Sequence, residues 1–273
     1  MSAFNEFRGK VAVVTGGASG MGRGIAESLI AEGMRVFIAD IEEPVLRRTA
    51  AEIGATGIAT DVSDWASVRA LAERVRQDTG AVHVVCNNAG VGPMGRIGDL
   101  SLDDWRWILG VNLWGVIHGV QAFLPLLRAN REGGYMVNTA SIGGLATMPS
   151  LGAYAVSKFG VVALSETLAQ ELADEGSPIG ITVLCPGPTR TNIKSSSRNR
   201  PSTLSPAQGL ADVDLEKTEF GASARWVEPR DVGRIVIDAM RRGELYAYTH
   251  PEQLGVVEAR FAAILAAGQR ARR

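Results

Sequence analysis

Cysteine is nearly missing from this sequence. Of 273 residues only Cys86 and Cys185 are cysteine, each inside or at the end of an apolar run, which excludes a disulfide-stapled scaffold and predicts buried free thiols in a reducing compartment. Histidine is almost as scarce. His83, His118 and His250 show no metal-ligand spacing and no acidic cluster supplements them, so no metal is expected in the chemistry. An excess of charge of either sign is missing as well. With 28 basic against 29 acidic residues and a formal net charge of -1, neither nucleic acid nor an anionic membrane surface is expected as a partner. The basic ending at 270–273 reads as a solvated helix end. No apolar run reaches the length of a membrane span, and the opening MSAFNEFRGK lacks the long apolar stretch of a signal peptide. The expected location is the cytoplasm.

What is present is ample apolar material, 46% of the chain, arranged with two periods. Short β-branched runs recur at 10–15, 35–40, 56–60, 83–86, 135–139, 180–185 and 245–248, and between most of them lie segments with helical spacing, such as Ile25, Leu29 and Ile30, or Val68, Leu71, Ala72 and Val75. Strand alternating with helix implies crossover units and a sheet covered on both faces. The expected fold is α/β: one doubly wound, predominantly parallel seven-stranded sheet with helices on both faces, a single domain over 1–273. One segment breaks the pattern. Residues 188–226 are polar, rich in Ser, Pro and Gly and without clear period, which predicts a mobile lid over a site rather than a disordered excursion.

In open parallel sheets ligands bind outside the carboxyl ends of the strands, and there the unusual residues collect. After the first strand comes Gly16-Gly-Ala-Ser19-Gly20-Met21-Gly22, a glycine-rich turn into a helix whose N–H groups and dipole suit a phosphate; its spacing is not GxGxxG, so alone it is a weak signal. Asp40 ends the second strand roughly 20 residues on, where a carboxylate can bind adenosine ribose hydroxyls, or cap a helix. As a ribose ligand it would repel a 2′-phosphate; Glu42 and Glu43 follow with no basic residue nearby, so NAD is favoured over NADP. Asn87-Asn88-Ala89-Gly90, Ser141 and Pro186-Gly187-Pro188-Thr189 follow later strands, and together they outline a cofactor cleft. Tyr154 and Lys158, four apart, share one helical face. A tyrosine of pKa about 10 is ionised only about one part in a thousand at neutral pH; lowering it by about three units, roughly 4 kcal/mol, needs nearby positive charge, which Lys158 and an oxidised nicotinamide would supply. Tyr154 then serves as general acid/base, and Ser141 stabilises charge on the substrate oxygen, while the cofactor carries the hydride.

These residues resemble the short-chain dehydrogenase/reductase family: Thr15-Gly-Gly-Ala-Ser-Gly-Met-Gly22 is similar to its TGxxxGxG loop, Asn87–Gly90 to its NNAG, Ser141 with Tyr154-x-x-x-Lys158 to its catalytic signature, and Pro186-Gly187 to its later turn. The resemblance covers nearly the whole chain and leaves 188–226 and the C-terminal tail without guidance. It implies that Asp61 and Val62 contact the adenine, that Asn88, Ala89 and Gly90 flank the adenosine ribose, that Thr189 and Thr191 hold the nicotinamide carboxamide, and that Lys158 also binds the nicotinamide ribose. Ile41 follows the ribose-binding Asp40 in the expected cofactor set. Asn112 falls at the family's fourth catalytic position, anchoring a water for proton relay; independently, it interrupts an apolar helix where an unsatisfied buried amide costs roughly 1–3 kcal/mol. Trp105, Trp107, Trp114 and His118 in that helix are expected to pack or to meet another subunit. The family's habit implies a homodimer or homotetramer.

The leading expectation is an NAD-dependent dehydrogenase interconverting a secondary alcohol and a ketone. An NADPH-dependent ketoreductase, for instance one acting on 3-oxoacyl thioesters, is the alternative, and a dinucleotide-sensing regulator without chemistry a more distant one. The substrate pocket is expected near 92–96, 142–149, 188–226 and 246–253. Its apolar lining (Ile142, Leu145, Met148) suits an apolar small-molecule secondary alcohol, with Arg96 and Arg190 the available cations and His250 a cap or surface residue.

Overall fold

The β-branched runs form strands within a residue or so of the predicted limits, in a computed structural model that describes residues 2–271, Phe220 by its backbone only. The strands are β1 (Val11–Thr15), β2 (Arg35–Asp40), β3 (Thr56–Ala59), β4 (Val84–Asn87), β5 (Gly134–Thr139), β6 (Ile179–Cys185) and β7 (Tyr246–Tyr248). They make one sheet in the order β3-β2-β1-β4-β5-β6-β7, every pair parallel. The order reverses between β1 and β4, which opens a crevice at the carboxyl ends of these two strands.

Side chains alternate across each strand, and both faces are covered, so the central strands read as continuous apolar runs. Val13, Phe37, Val85, Met136 and Val183 face α3 (Trp65–Thr79) and the helices that follow β4 and β5. Ala12, Val14, Ile38, Val84, Val137 and Leu184 face α1 (Gly20–Ala31), α2 (Glu43–Ile53) and α8 (Pro229–Arg242). Helix ends follow local chemistry: Asp64 caps α3 by accepting from the N–H groups of Ala66 and Ser67 at 3.0 and 3.3 Å, and Gly80 closes it in the left-handed region.

After β4, α4 (Leu102–Leu109), one π turn at Gly110–Trp114 and α5 (Gly115–Arg128) run as a single helix, started by a reciprocal Ser101/Asp104 capping box. It is 27 residues long, holds an 18-residue window of mean hydropathy 1.4 and qualifies by length and composition as a membrane span, which corrects the expectation that no segment reaches that length. Asn112, His118 and Gln121 break the run in sequence. The apolarity has a core function here: Val116, Val120, Phe123 and Leu127 are buried against the sheet. Truncating a side chain such as Phe123, fully buried, costs about 3–5 kcal/mol. Trp107 is buried, whereas Trp114 is exposed and rings with Trp65 around His118.

α6 (Gly152–Asp174) packs against β6 and carries the Tyr/Lys pair. The 188–226 segment holds short helices, at Asn192–Asn199, Leu215–Lys217 and α7 (Glu219–Ser223). Met94 and Ala211 exchange backbone hydrogen bonds at 2.9 Å, Arg200 pairs with the fully buried Asp104 at 2.9 Å, and Leu204 and Leu210 pack on the Trp107 cluster. Beyond β7, α9 (Gly255–Arg270) ends the described chain, with Val256, Phe261, Ile264 and Leu265 at least half exposed. Of the basic ending, Arg270 is exposed and closes α9, while Arg272 and Arg273 lie outside the described residues. Cys86 and Cys185 are buried free thiols whose pKa burial pushes up to about 12.

Candidate active site

The glycine turn after β1 folds tightly enough that a Cβ on Gly22 would lie 2.1 Å from the Gly16 carbonyl oxygen and 2.6 Å from Asn88 Nδ2. Only glycine fits there. Ser19 occupies the N-cap of α1 without spending its side chain on the cap, and the first turn carries no acidic residue, so the positive end of the helix faces the cleft. This cradle suits the pyrophosphate of a dinucleotide. Asp40 is not the N-cap of α2, which is Glu42. Its Oδ2 accepts from Ala18 N and its Oδ1 from Glu42 N, each at 3.1 Å, tying the glycine turn to the end of β2. Burial raises the Asp40 pKa, and the two backbone N–H groups oppose it.

Thr15, which the sequence reading left without a part, sets the next edge. Its Oγ1 accepts from the N–H groups of Asn88 and Ala89 at 2.9 and 3.1 Å, and Asn88 Nδ2 donates to Thr15 O at 3.0 Å. Asp61 bonds Ser63 through its backbone N–H and hydroxyl at 2.9 and 2.7 Å.

Asn112 is fully buried on the π turn, a local widening that recurs at functional sites. Its Oδ1 accepts from Val91 N at 2.8 Å, and its Nδ2 donates to Val91 O at 2.9 Å and to Ser157 Oγ at 3.3 Å. The buried amide is therefore satisfied, and it ties the π turn to the loop after β4 and to α6. One turn below, the buried Lys158 donates from Nζ to Thr139 O at 2.9 Å and lies 5.7 Å from the Tyr154 ring centroid. Burial lowers its pKa to about 8, so it keeps its proton at neutral pH. Burial raises the Tyr154 pKa, opposed by the hydrogen-bonding Ser141 side chain. In the chain alone desolvation sets the direction; the lowering expected from the sequence draws on an oxidised nicotinamide together with Lys158. Ser141 caps the turn Ile142–Gly144, accepting from Gly143 N at 3.0 Å and donating to Pro186 O at 3.4 Å.

One open cleft runs from the glycine turn and Asp40 to Tyr154 and Lys158. Gly16, Ser19, Gly20, Met21, Asp40, Ile41, Asp61, Val62, Asn88, Ala89, Gly90, Tyr154, Lys158 and Thr191 line it, as the sequence predicts. Gly22 and Asn112 stand behind the wall, and Ser141, Pro186, Gly187 and Thr189 are not among its lining residues. Gly187 instead backs onto His250: its N–H donates to Thr249 Oγ1 at 2.9 Å, Thr249 Oγ1 meets His250 Nδ1 at 2.6 Å, and His250 Nε2 meets Arg225 O at 2.7 Å. His250 holds the N-cap position of the turn Pro251–Gln253, one of its two expected roles, but it is fully buried, not a surface residue, because both ring nitrogens find partners where β7 and the end of the 188–226 segment meet. The 246–253 stretch does not line the cleft. Arg190 is taken up by Glu228 and Glu216 at 2.9 and 3.4 Å. The segment 192–199 does line it, through Asn192, Ile193, Ser196, Arg198 and Asn199, and Ser196 Oγ accepts from Gly92 N at 3.0 Å. Arg198 pairs with Glu42, which corrects the expectation that no basic residue stands near the end of β2. That residue is 156 positions away in sequence and carries no local signal.

A doubly wound sheet with this cradle and a Ser/Tyr/Lys group around the buried Lys158 at one edge defines an oxidoreductase class of α/β protein. The family model described as short chain dehydrogenase matches residues 10–202. A CLA biosynthesis dehydrogenase/reductase of Lactiplantibacillus plantarum is 31% identical, over 96% of both chains, and a C alpha-dehydrogenase of a Sphingobium species 30% identical, over 95% of this chain and 87% of its own. The crystal structure of a short-chain dehydrogenase/reductase from Burkholderia phymatum in complex with NAD is 39% identical, with a TM-score of 0.91 over 96% of both chains. The chain belongs to the short-chain dehydrogenase/reductase family.

Proposed function

We propose that the protein is an NAD-dependent oxidoreductase that interconverts a secondary alcohol and a ketone, with Tyr154 as general acid/base. The observation that carries this reading is the buried Lys158 ammonium beside Tyr154, whose side chain Ser141 hydrogen-bonds, with Tyr154 and Lys158 lining the same cleft as the glycine cradle and Asp40. When bound, the nicotinamide supplies the two-electron acceptor or donor. Ser141 Oγ donates to the substrate oxygen, Tyr154 Oη takes or returns its proton, and Lys158 supplies positive charge to the phenolate. Asn112 holds the Val91 backbone and Ser157, and with them the wall behind Lys158. Gly16, Ser19, Gly20 and Met21 cradle the pyrophosphate, and Asp40 takes the adenosine ribose. The NAD-bound relative from Burkholderia phymatum and the dehydrogenase names of the others support the direction of this reading.

The substrate is an apolar small-molecule secondary alcohol, in keeping with Ile193 beside Gly92 and Tyr154 and with Arg190 occupied by carboxylates. The buried unpaired thiols support a cytoplasmic location, and the apolar side chains left exposed on α9 support a homodimer or homotetramer. One observation favours the NADPH-dependent ketoreductase reading: Arg198 is a cation at the β2 end of the cleft. The deciding experiment follows NADH or NADPH absorbance with NAD or NADP and a panel of cyclic, aromatic, steroidal and hydroxyacyl secondary alcohols. Turnover with NAD but not NADP is expected. Preference for NADP overturns the Asp40 assignment, and NAD binding with silence across the whole panel favours a sensor.

A further inference from the structure

Among the described residues that line the cleft, Lys158 and Arg198 are the only lysine or arginine. Lys158 is committed to Thr139 O at 2.9 Å beside Tyr154. Arg198 stands at the opposite end, where Asp40, Ile41 and Glu42 line the wall. Its guanidinium is held from two sides. One nitrogen, Nη1, donates to Asn192 O at 3.2 Å and to Ser195 Oγ at 2.9 Å, within the 192–199 segment itself. The other, Nη2, pairs with Glu42. Glu42 Oε1 also accepts from Asn199 Nδ2 at 3.0 Å, and the Arg198 charge holds the Glu42 pKa below the usual carboxylate range.

We propose that Glu42 and Arg198 form a second selector of the adenosine ribose substituent: Glu42 engages the one cation at that end that a 2′-phosphate needs. The proposal rests on the cofactor reading above and deepens it. With both carboxylates ionised, a 2′-phosphate meets Asp40, Glu42 and a single guanidinium, a net charge of -1 with the cation already paired. A ribose hydroxyl meets no such penalty, because a neutral group hydrogen-bonds a carboxylate at no charge cost. The Nη1 bonds to Asn192 and Ser195 belong to the segment and do not depend on Glu42. Removing the Glu42 charge therefore leaves Arg198 presented in place, a preorganised ligand for phosphate.

The test needs no turnover. Calorimetry compares 5′-AMP with adenosine 2′,5′-bisphosphate on the full-length protein and on Glu42→Gln, Arg198→Met and the double variant. Glu42 and Arg198 side chains are partly exposed, 25% and 37%, so the substitutions spare the core. Wild type is expected to prefer 5′-AMP. Glu42→Gln is expected to tighten the bisphosphate about ten- to a hundred-fold, the worth of a charge-assisted hydrogen bond, with 5′-AMP changed by less than about three-fold. Arg198→Met in the Glu42→Gln background is expected to remove that gain. No gain in Glu42→Gln, or an equal gain without Arg198, overturns the selector while leaving the NAD reading standing. Wild-type preference for the bisphosphate instead overturns the NAD reading, and the selector with it.

Discussion

Replacing Lys158 by methionine should stabilise the cofactor-free protein at neutral pH while removing a residue the proposed reaction needs. Lys158 is 3% exposed, and burial lowers its pKa from 10.5 to about 8. At about 1.36 kcal/mol per unit, that difference corresponds to about 3.4 kcal/mol of strain on the charged form. The sign follows from proton counts. Below pH 8 the amine is protonated in both folded and unfolded chains and the penalty is present in full. Between pH 8 and pH 10.5 the unfolded chain binds more protons than the folded one, so wild-type stability gains with rising pH. Linkage over pH 7 to pH 10 relieves about 2.5 kcal/mol of the penalty. Methionine fills much the same volume without charge, but leaves Thr139 O, the acceptor at 2.9 Å, without its donor, a loss of about 1–3 kcal/mol that does not vary with pH. Net, Lys158→Met is expected to be more stable than wild type by about 0.5–2.5 kcal/mol at pH 7 and equal or less stable at pH 10.

The assay is urea unfolding of both proteins, free of cofactor, at pH 7, 8, 9 and 10. Every other titrating group is shared, so the difference between the two curves isolates position 158. A stability difference that stays flat within about 0.5 kcal/mol across this range would refute the reasoning, because hydrogen bonding and packing alone predict no slope. Large destabilisation at pH 7 would refute it too, since it would make the ammonium a net structural asset.

Other expectations are checked more simply. Tyr154→Phe should lower kcat about 10²- to 10⁴-fold while titration with NAD shows affinity within a few-fold of wild type; unchanged turnover would remove Tyr154 from the chemistry. Asn112→Ala leaves both backbone polar groups of Val91 unpaired in a fully buried site and should reduce unfolding free energy by about 2–6 kcal/mol in urea titrations, at about 1–3 kcal/mol per orphaned group. Gly22→Ala places a methyl 2.1 Å from Gly16 O. It should cost about 1–3 kcal/mol of stability by overpacking and weaken NAD binding, read by calorimetry, more than Tyr154→Phe does.

The seven strands were legible because each is a short apolar run bounded by polar residues, and in β1, β2, β4, β5 and β6 burial on both faces leaves no competing period. The grouping of Ser141, Tyr154 and Lys158 was legible because they sit within 18 positions of each other, from the end of β5 to the first turns of α6. The edge contributed by 192–199 was not. Its pairings join Arg198 to Glu42 across 156 positions and Ser196 to Gly92 across 104, and nothing in a polar, aperiodic stretch indicates which distant side chain it meets. His250 was misread for a related reason. In sequence it precedes a proline at the start of an ordinary turn, and only the return of the 188–226 segment, through Arg225 O at 2.7 Å, buries it.

The same comparison explains why so many polar side chains are buried at the carboxyl edge of an otherwise apolar sheet. Thr15 with Asn88, Asn87 with Asn138 and Ser165, Asn112 with Val91 and Ser157, and Lys158 with Thr139 each join the end of one strand to a neighbouring element. Apolar residues of equal volume would hold the layers together with no desolvation to offset. They would not fix the relative register of four loops, because apolar contacts are not directional, whereas a satisfied hydrogen-bond network has essentially one geometry. Tyr154, Ser141 and Lys158 come from two elements, β5 with its following turn and α6, and the glycine cradle from a third. Reaction geometry tolerates errors of about half an ångström, so the directional layer beneath the cleft is what makes these residues one site. One acceptor in that layer, Asn87 Oδ1, lacks a partner, and a Cβ on Gly119 would lie 1.9 Å from it. The layer therefore gives up the pairing of one buried oxygen, and a side chain at position 119, so that α5 can approach closely enough to hold Asn112 over the loop after β4.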